Sequence, residues 1–233
     1  IFDGAEVDNK ILNGVVGAWL MSSILSVSSV TVAFCSNIIM VEDKMNGVIN
    51  DFNVSATKGT TITISYFISN FFVTLLIMVI IMLIGHIYIA AVGWYLSFGD
   101  VMLILADIII NVLFGTLLAG VVESFISTQG GMSAVSTLVS SMYGFICGAY
   151  MPLSQFSEGL RNILCLLPGT YGVGILRNHY MGGYINALAD IGISSEQLNI
   201  VRDSFDANLY IFGNEVPLGA MYAILLGTCA VLL

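Results

Sequence analysis

Charge is what this sequence has least of. Charged side chains make up 9% of its 233 residues, with six lysines and arginines against fifteen aspartates and glutamates, while 58% are hydrophobic. A soluble domain of this length needs far more polar surface to cover one core. Hydrocarbon excludes charged groups, so long apolar runs nearly free of charge are what a lipid environment selects. The net charge of −9 excludes nucleic acid as a partner, because so few cations cannot track a phosphate backbone. Histidine is scarce too: His86 and His179 have no Cys, Asp or Glu at ligand spacing, so no metal is expected. Of the four cysteines, Cys35, Cys147, Cys165 and Cys229, three fall inside apolar runs, where a thiol behaves as a small hydrophobe. No Gly-x-x-x-x-Gly-Lys-Ser/Thr loop occurs, so neither ATP nor another cofactor is expected on this chain. No signal-peptide pattern is visible, and both ends read as cut, Ile1 lacking a Met and Leu233 lying within an apolar run.

What is present is a series of apolar segments. About 20 such residues cross a hydrocarbon core as a helix. Five segments qualify or nearly so: residues 14–40, 63–86, 101–126, 132–151 and 217–233, the last truncated. An odd number with a severed end implies a further span, placed upstream. Trp19, Trp94, Tyr88, Tyr95, Tyr150 and Tyr180 fall near span ends and predict an aromatic belt. The connections differ: 41–61 is polar, 87–100 short and aromatic, 127–131 a tight turn, and 152–216 a long polar excursion with structure of its own. Inside that excursion Ser194 and Gln197 form a capping box, with Ile193 and Leu198 as its staple. Leu198, Val201, Phe205 and Leu209 follow at helical spacing opposite Glu196, Asp203 and Asp206, predicting a small amphipathic helix outside the bilayer.

The 41–61 loop carries a second amphipathic pattern. Met45, Val48, Ile49 and Phe52 fall on one face of a helix, and Asp43, Gly47, Asn50 and Asp51 on the other. A surface helix of this kind either anchors the loop or docks a partner with its polar face. Lys44 and Lys58 favour placing the loop in the cytoplasm, although the arginines of the long excursion carry little weight in that rule.

Two blocks carry a resemblance. Glu42, Gly47 and the small residues Ser55-Ala56-Thr57 follow one another in the first, with Thr57-Lys58 where a proline is common. The second runs Gly148-Ala149-Tyr150-Met151-Pro152-Leu153-Ser154, then Leu160-Arg161, Leu166-Leu167-Pro168, Thr170-Tyr171 and Leu176-Arg177. Together they resemble the ABC transporter permeases of the drug- and polysaccharide-export type, over nearly the whole chain with one early span missing. The resemblance implies an all-α integral membrane protein: a polytopic helical bundle showing five spans of six, in the cell membrane. It makes 41–61 a cytoplasmic coupling helix contacting an ATP-binding cassette subunit, through Glu42, Asp43, Gly47, Asn50 and Asp51. It places 152–216 outside the cell as a re-entrant, helical excursion within a single permease domain, and implies a second permease subunit. Pro168 fits a re-entrant turn, since it interrupts an otherwise continuous stretch.

Three polar residues lie in the third span. Asp107 and Asn111, four apart, share a face, whereas Glu123 points away, near the cytoplasmic end and within reach of the interface. Buried hydrogen-bonded carboxyls are one reading and a proton relay the other; no Lys, Arg or His on this span completes a relay. Two spans carry stripes of small residues, Ser22, Ser26, Ser29, Ala33 and Ser36 in the first, and Ser133, Thr137, Ser140, Gly144 and Gly148 in the fourth. The stripes predict close helix packing, with a substrate pathway or dimer interface as the alternative. The function expected is the permease subunit of an ATP-driven exporter, with hydrolysis on another polypeptide. Its rivals are a proton-coupled secondary transporter using Asp107 and a membrane protein that anchors or assembles an envelope complex.

Overall fold

A computed structural model describes residues 8–48, 51 and 58–233. Helix α1 spans Asn9–Ser36 and is started by Asp8, whose carboxylate accepts the backbone N–H of Lys10 at 3.0 Å. One residue, Asn37, separates it from the short α2, Ile38–Met45. Helix α3, Gly59–Val92, has 34 residues and a mean burial confined to one stripe. Its buried positions, Asn70, Thr74, Met78, Met82, His86 and Ile89, recur every three or four residues, and the remaining faces expose Phe72, Leu76, Ile84 and Ile87. A helix apolar all round but buried along one stripe is built to face lipid on its other sides.

Helix α4, Phe98–Ser124, opens with a reciprocal capping box between Ser97 and Asp100. Helix α5, Gln129–Ile146, begins where the Thr128 hydroxyl accepts the N–H of Gly131 at 3.1 Å. It stops five residues before the expected end of the fourth span, at a tight turn leading to Gly148 with φ +71°. A single 3-10 turn over Leu153–Gln155 leads to α6, Glu158–Leu164. Helix α7, Pro168–Asp190, follows, with Pro168 in its first turn, where no N–H is needed. The capping box of Ser194 and Gln197 forms as the sequence predicts and starts α8, Ser195–Ser204. A two-stranded antiparallel hairpin, β1 Leu209–Ile211 and β2 Asn214–Val216, turns through Phe212 and Gly213, both at positive φ. Helix α9, Leu218–Leu232, ends the chain.

Helix α1 is the hub of the bundle, packing against α3, α4, α5 and α7; α9 closes the far side against α4 and α7. Among the described residues, three helical stretches are long and apolar enough to cross a membrane: Asn9–Met45, Gly59–Val92 and Phe98–Ser124. Leu218–Leu232 is apolar but shorter.

Helix α7, inside the 152–216 excursion, buries fourteen of its residues, Tyr171, Arg177, Tyr180 and Tyr184 among them, and packs against α1, α4 and α9. Its glycines make this possible: a Cβ on Gly172 would sit 2.2 Å from Asn111 Oδ1, and one on Gly183 2.1 Å from the Tyr95 carbonyl oxygen. Helix α8 stops at Ser204 instead of continuing to Leu209. Asp206, placed on its exposed face by periodicity, is buried at φ +50°. Tyr180 is wholly buried against His86, with ring centroids 5.8 Å apart, so it belongs to the core and not to an aromatic belt. Tyr88, Trp94 and Tyr150 are exposed.

Candidate coupling surface and buried polar clusters

Among the described residues, the α1–α3 connection is not one continuous helix. Helix α2 ends at Met45, capped by Asn46, and Gly47 then takes φ +79°, a conformation that favours glycine and stops a helix. Val48 and Asp51 are helical again, and the Asp51 N–H reaches the Gly47 carbonyl at 3.4 Å. Ile49, Asn50, Phe52 and the Ser55-Ala56-Thr57 block lie outside the described residues.

Of the anticipated coupling residues, Glu42 and Asp51 face solvent. Asp43 does not: it is half-buried, and its carboxylate accepts the Tyr66 hydroxyl of α3 at 2.6 Å. Lys44 Nζ donates to the carbonyl oxygens of Ser124 at 3.0 Å and Ile126 at 3.4 Å. A cation there satisfies the open carbonyl end of α4 and complements its dipole. The joint itself is held by Asn37, whose buried side chain donates to Glu123 Oε2 at 2.6 Å. Glu123 therefore does not reach the interface as expected; it is fully buried, and only one of its two oxygens has a partner among the described residues. Asn37 of α1–α2 and Glu123 of α4 are 86 residues apart, so no local pattern announces their pairing.

Asp107 is fully buried at the meeting of α4, α7 and α9. His179 Nδ1 of α7 lies 2.5 Å from its Oδ2, and the Tyr222 hydroxyl of α9 donates to its Oδ1. Asn111, on the same face as expected, turns instead to backbone, donating to the carbonyls of Asp107 at 3.0 Å and Gly172 at 3.3 Å. The histidine missing from the span is thus supplied by another helix 72 residues away. The cluster ties three elements together and leaves no carboxylate oxygen of Asp107 free.

A second buried charge joins the excursion to the bundle. Arg177 of α7 donates to Asp206 Oδ2 at 3.4 Å, to the Gly148 carbonyl at 2.6 Å and to Ser23 Oγ of α1 at 3.2 Å, with its guanidinium 5.5 Å from the Trp19 ring centre. The Leu153 N–H also donates to Asp206. Burial pushes the Asp206 carboxyl above its ordinary range, while Arg177 and the backbone N–H groups pull it back. Neither residue was singled out by sequence spacing as a pair. The 29-residue separation puts the pairing beyond any local periodicity.

The two small-residue stripes have different fates. Ser22, Ser26 and Ser29 are buried inside this chain. A Cβ on Gly115 of α4 would lie 2.8 Å from the Ser29 carbonyl oxygen, so the α1 stripe serves a close helix crossing. Ser36 is only partly buried. On α5, Ser133 and Thr137 are exposed and Ser140 partly so. The Gly-x-x-x-Gly pair at its end is no open contact surface. The Tyr150 ring covers Gly144, whose Cβ would meet it at 2.4 Å, and Gly148 lies beyond the helix.

Membrane-length helices around a central α1, with buried carboxyls bonded between helices and a polar helix at one end, define a polytopic α-helical membrane protein. Comparison with known families makes the assignment specific. The chain belongs to the ABC-2 family of transporter proteins, which it matches over residues 1–233. It is the membrane component of an ABC transporter, a non-catalytic transport subunit. Comparison with curated proteins gave no match, and neither did comparison with solved structures.

Proposed function

We propose that the chain is the permease half of an ATP-driven exporter in the cell membrane, paired with a second permease subunit and driven by separate ATP-binding subunits that dock at residues 38–51. The observation that carries this reading is how α2 is fastened. Asp43 is bonded to α3, Lys44 to the carbonyl end of α4, and Asn37, at the joint with α1, to Glu123 of α4. A push on this surface therefore reaches α3 and α4 through hydrogen bonds, and α1 through the chain itself. Such coupling requires the motor to contact this surface differently in its two nucleotide states. Helices α5 and α9 serve as the fourth and fifth spans, and residues 152–216 face the outside, opposite Lys44 and Lys58. The exposed Ser133 and Thr137 face of α5 is left for the second permease subunit or for the pathway between the two.

Family membership favours this over the two rivals. As a proton carrier Asp107 has both oxygens committed to His179 and Tyr222, and an anchoring protein has no use for a fastened α2. Reversing charge at Glu42 and Asp51 together (Glu42→Arg, Asp51→Arg) lowers recovery of the ATP-binding subunit with the purified permease at least tenfold, because the docking face loses its sign. The permease keeps its unfolding midpoint, since both residues are exposed and make no side-chain bond among the described residues. Undiminished co-purification would overturn the docking assignment.

A further inference from the structure

A 170 Å³ cavity lies between α6, the end of α8 and the first strand, bordered by Ser154, Arg161, Cys165, Asp203, Asp206 and Tyr210. One of its three charges is already spent, since Asp206 is held by Arg177, which lies outside the lining, and by the Leu153 N–H. Two are not. Arg161 has no side-chain acceptor among the described residues, and its Nε is shut off from solvent without a partner. Asp203 uses one oxygen, Oδ1, to accept from Asn208 at 2.9 Å and from the Tyr210 hydroxyl at 3.0 Å. Its other oxygen has no partner among the described residues, and Asp203 forms no ion pair with Arg161, although both border the same space. Cys165 adds no charge, because burial pushes its thiol above the ordinary value.

A buried guanidinium N–H without an acceptor calls for a missing partner. A simple anion at Arg161 would face the Asp203 carboxylate, and a simple cation at Asp203 would face Arg161. A ligand carrying both signs satisfies the two together. We propose that this cavity binds a small zwitterionic group, an ammonium joined to a phosphate or carboxylate, with the acid on Arg161 and the ammonium on Asp203. The chemistry has two sources, the headgroup of an ethanolamine phospholipid or a free amino acid. The lipid is suggested by apolar residues exposed on the bordering elements, Leu160 and Ile163 of α6 and Phe212 of the hairpin turn. The assignment is independent of where the motor docks.

The test uses the full-length permease purified in detergent and titrated with O-phosphoethanolamine and with glycine. It is repeated in phosphatidylcholine nanodiscs with and without phosphatidylethanolamine, following heat uptake and the unfolding midpoint. Saturable binding is expected, weakened at least tenfold by Arg161→Gln and equally by Asp203→Asn. Neither variant is expected to shift the unliganded midpoint: Arg161 holds nothing, and asparagine keeps the bonds to Asn208 and Tyr210. A midpoint raised only by phosphatidylethanolamine, and lost in both variants, assigns the lipid source; binding of glycine assigns the free one. Absence of binding by every probe overturns the proposal. Binding unchanged in both variants overturns it too, and so does loss in one variant alone, which would mark a singly charged ligand.

Discussion

Replacing Arg177 with leucine lowers the stability of the permease by about 3–5 kcal/mol, the cost of leaving one partner of a buried ion pair alone. Asp206 is almost entirely buried and keeps only backbone N–H donors once the guanidinium is gone. The Gly148 carbonyl loses a 2.6 Å donor, and Trp19 loses the cation over its ring. Four segments meet at this arginine, so its loss frees the 148–153 turn and the segment at Asp206 from α1 and α7 together. Unfolding in detergent measures the effect. The double variant Arg177→Leu with Asp206→Leu is less destabilised than the sum of the two single changes, because neither charge is then stranded. Additive losses would show that the two side chains do not act as a pair.

The second large effect separates two adjacent glycines. Gly183→Ala places a Cβ 2.1 Å from the Tyr95 carbonyl oxygen and 2.9 Å from its carbon, both backbone atoms that cannot rotate away. Helix α7 must then move off the α3–α4 connection, at a cost of about 1–3 kcal/mol or more. Gly182→Ala meets nothing within 4 Å. It removes a flexible residue from a helix interior and stabilises by about 0.5–1 kcal/mol. Opposite shifts in unfolding midpoint are therefore expected from neighbours of identical type. Equal shifts would mean that α7 does not approach the connection as closely as described.

The difference between those glycines is also the reason part of the fold was hidden in the sequence. Apolar runs announce α1, α3 and α4, because lipid demands the same property of every residue in them. Local chemistry announces α8, since Ser194 and Gln197 sit three apart and cap it without help from elsewhere. Helix α7 gives no such signal. Its arginine, histidine, tyrosines and glycines read as polar surface until their partners are known, and each partner lies far along the chain: Asp206 for Arg177, Asp107 for His179, Asn111 for Gly172. The 41–61 loop was hidden for a different reason. Treating Gly47 as one position on a polar face continued the helix through it, whereas its positive φ ends α2 and turns the chain. Glycine just beyond a run of helix formers was the available sign. The same pattern could not show that the Asp43 carboxylate is taken by Tyr66, whereas Glu42 and Asp51 are exposed.

Cysteine crosslinking tests the docking of the motor most directly. Cys35 is the exposed native thiol and is replaced by alanine, while Cys147, Cys165 and Cys229 are buried. Single cysteines then stand at Glu42 and Asp51, with Glu215 of the hairpin, also exposed, as the control on the proposed outer side. A short bifunctional reagent applied to the assembled transporter should capture the ATP-binding subunit from both positions in the connection and not from the hairpin, with a yield that changes when nucleotide is trapped. Capture from the hairpin, or none from Glu42 and Asp51 while a membrane-impermeant reagent labels them from outside, would contradict the account.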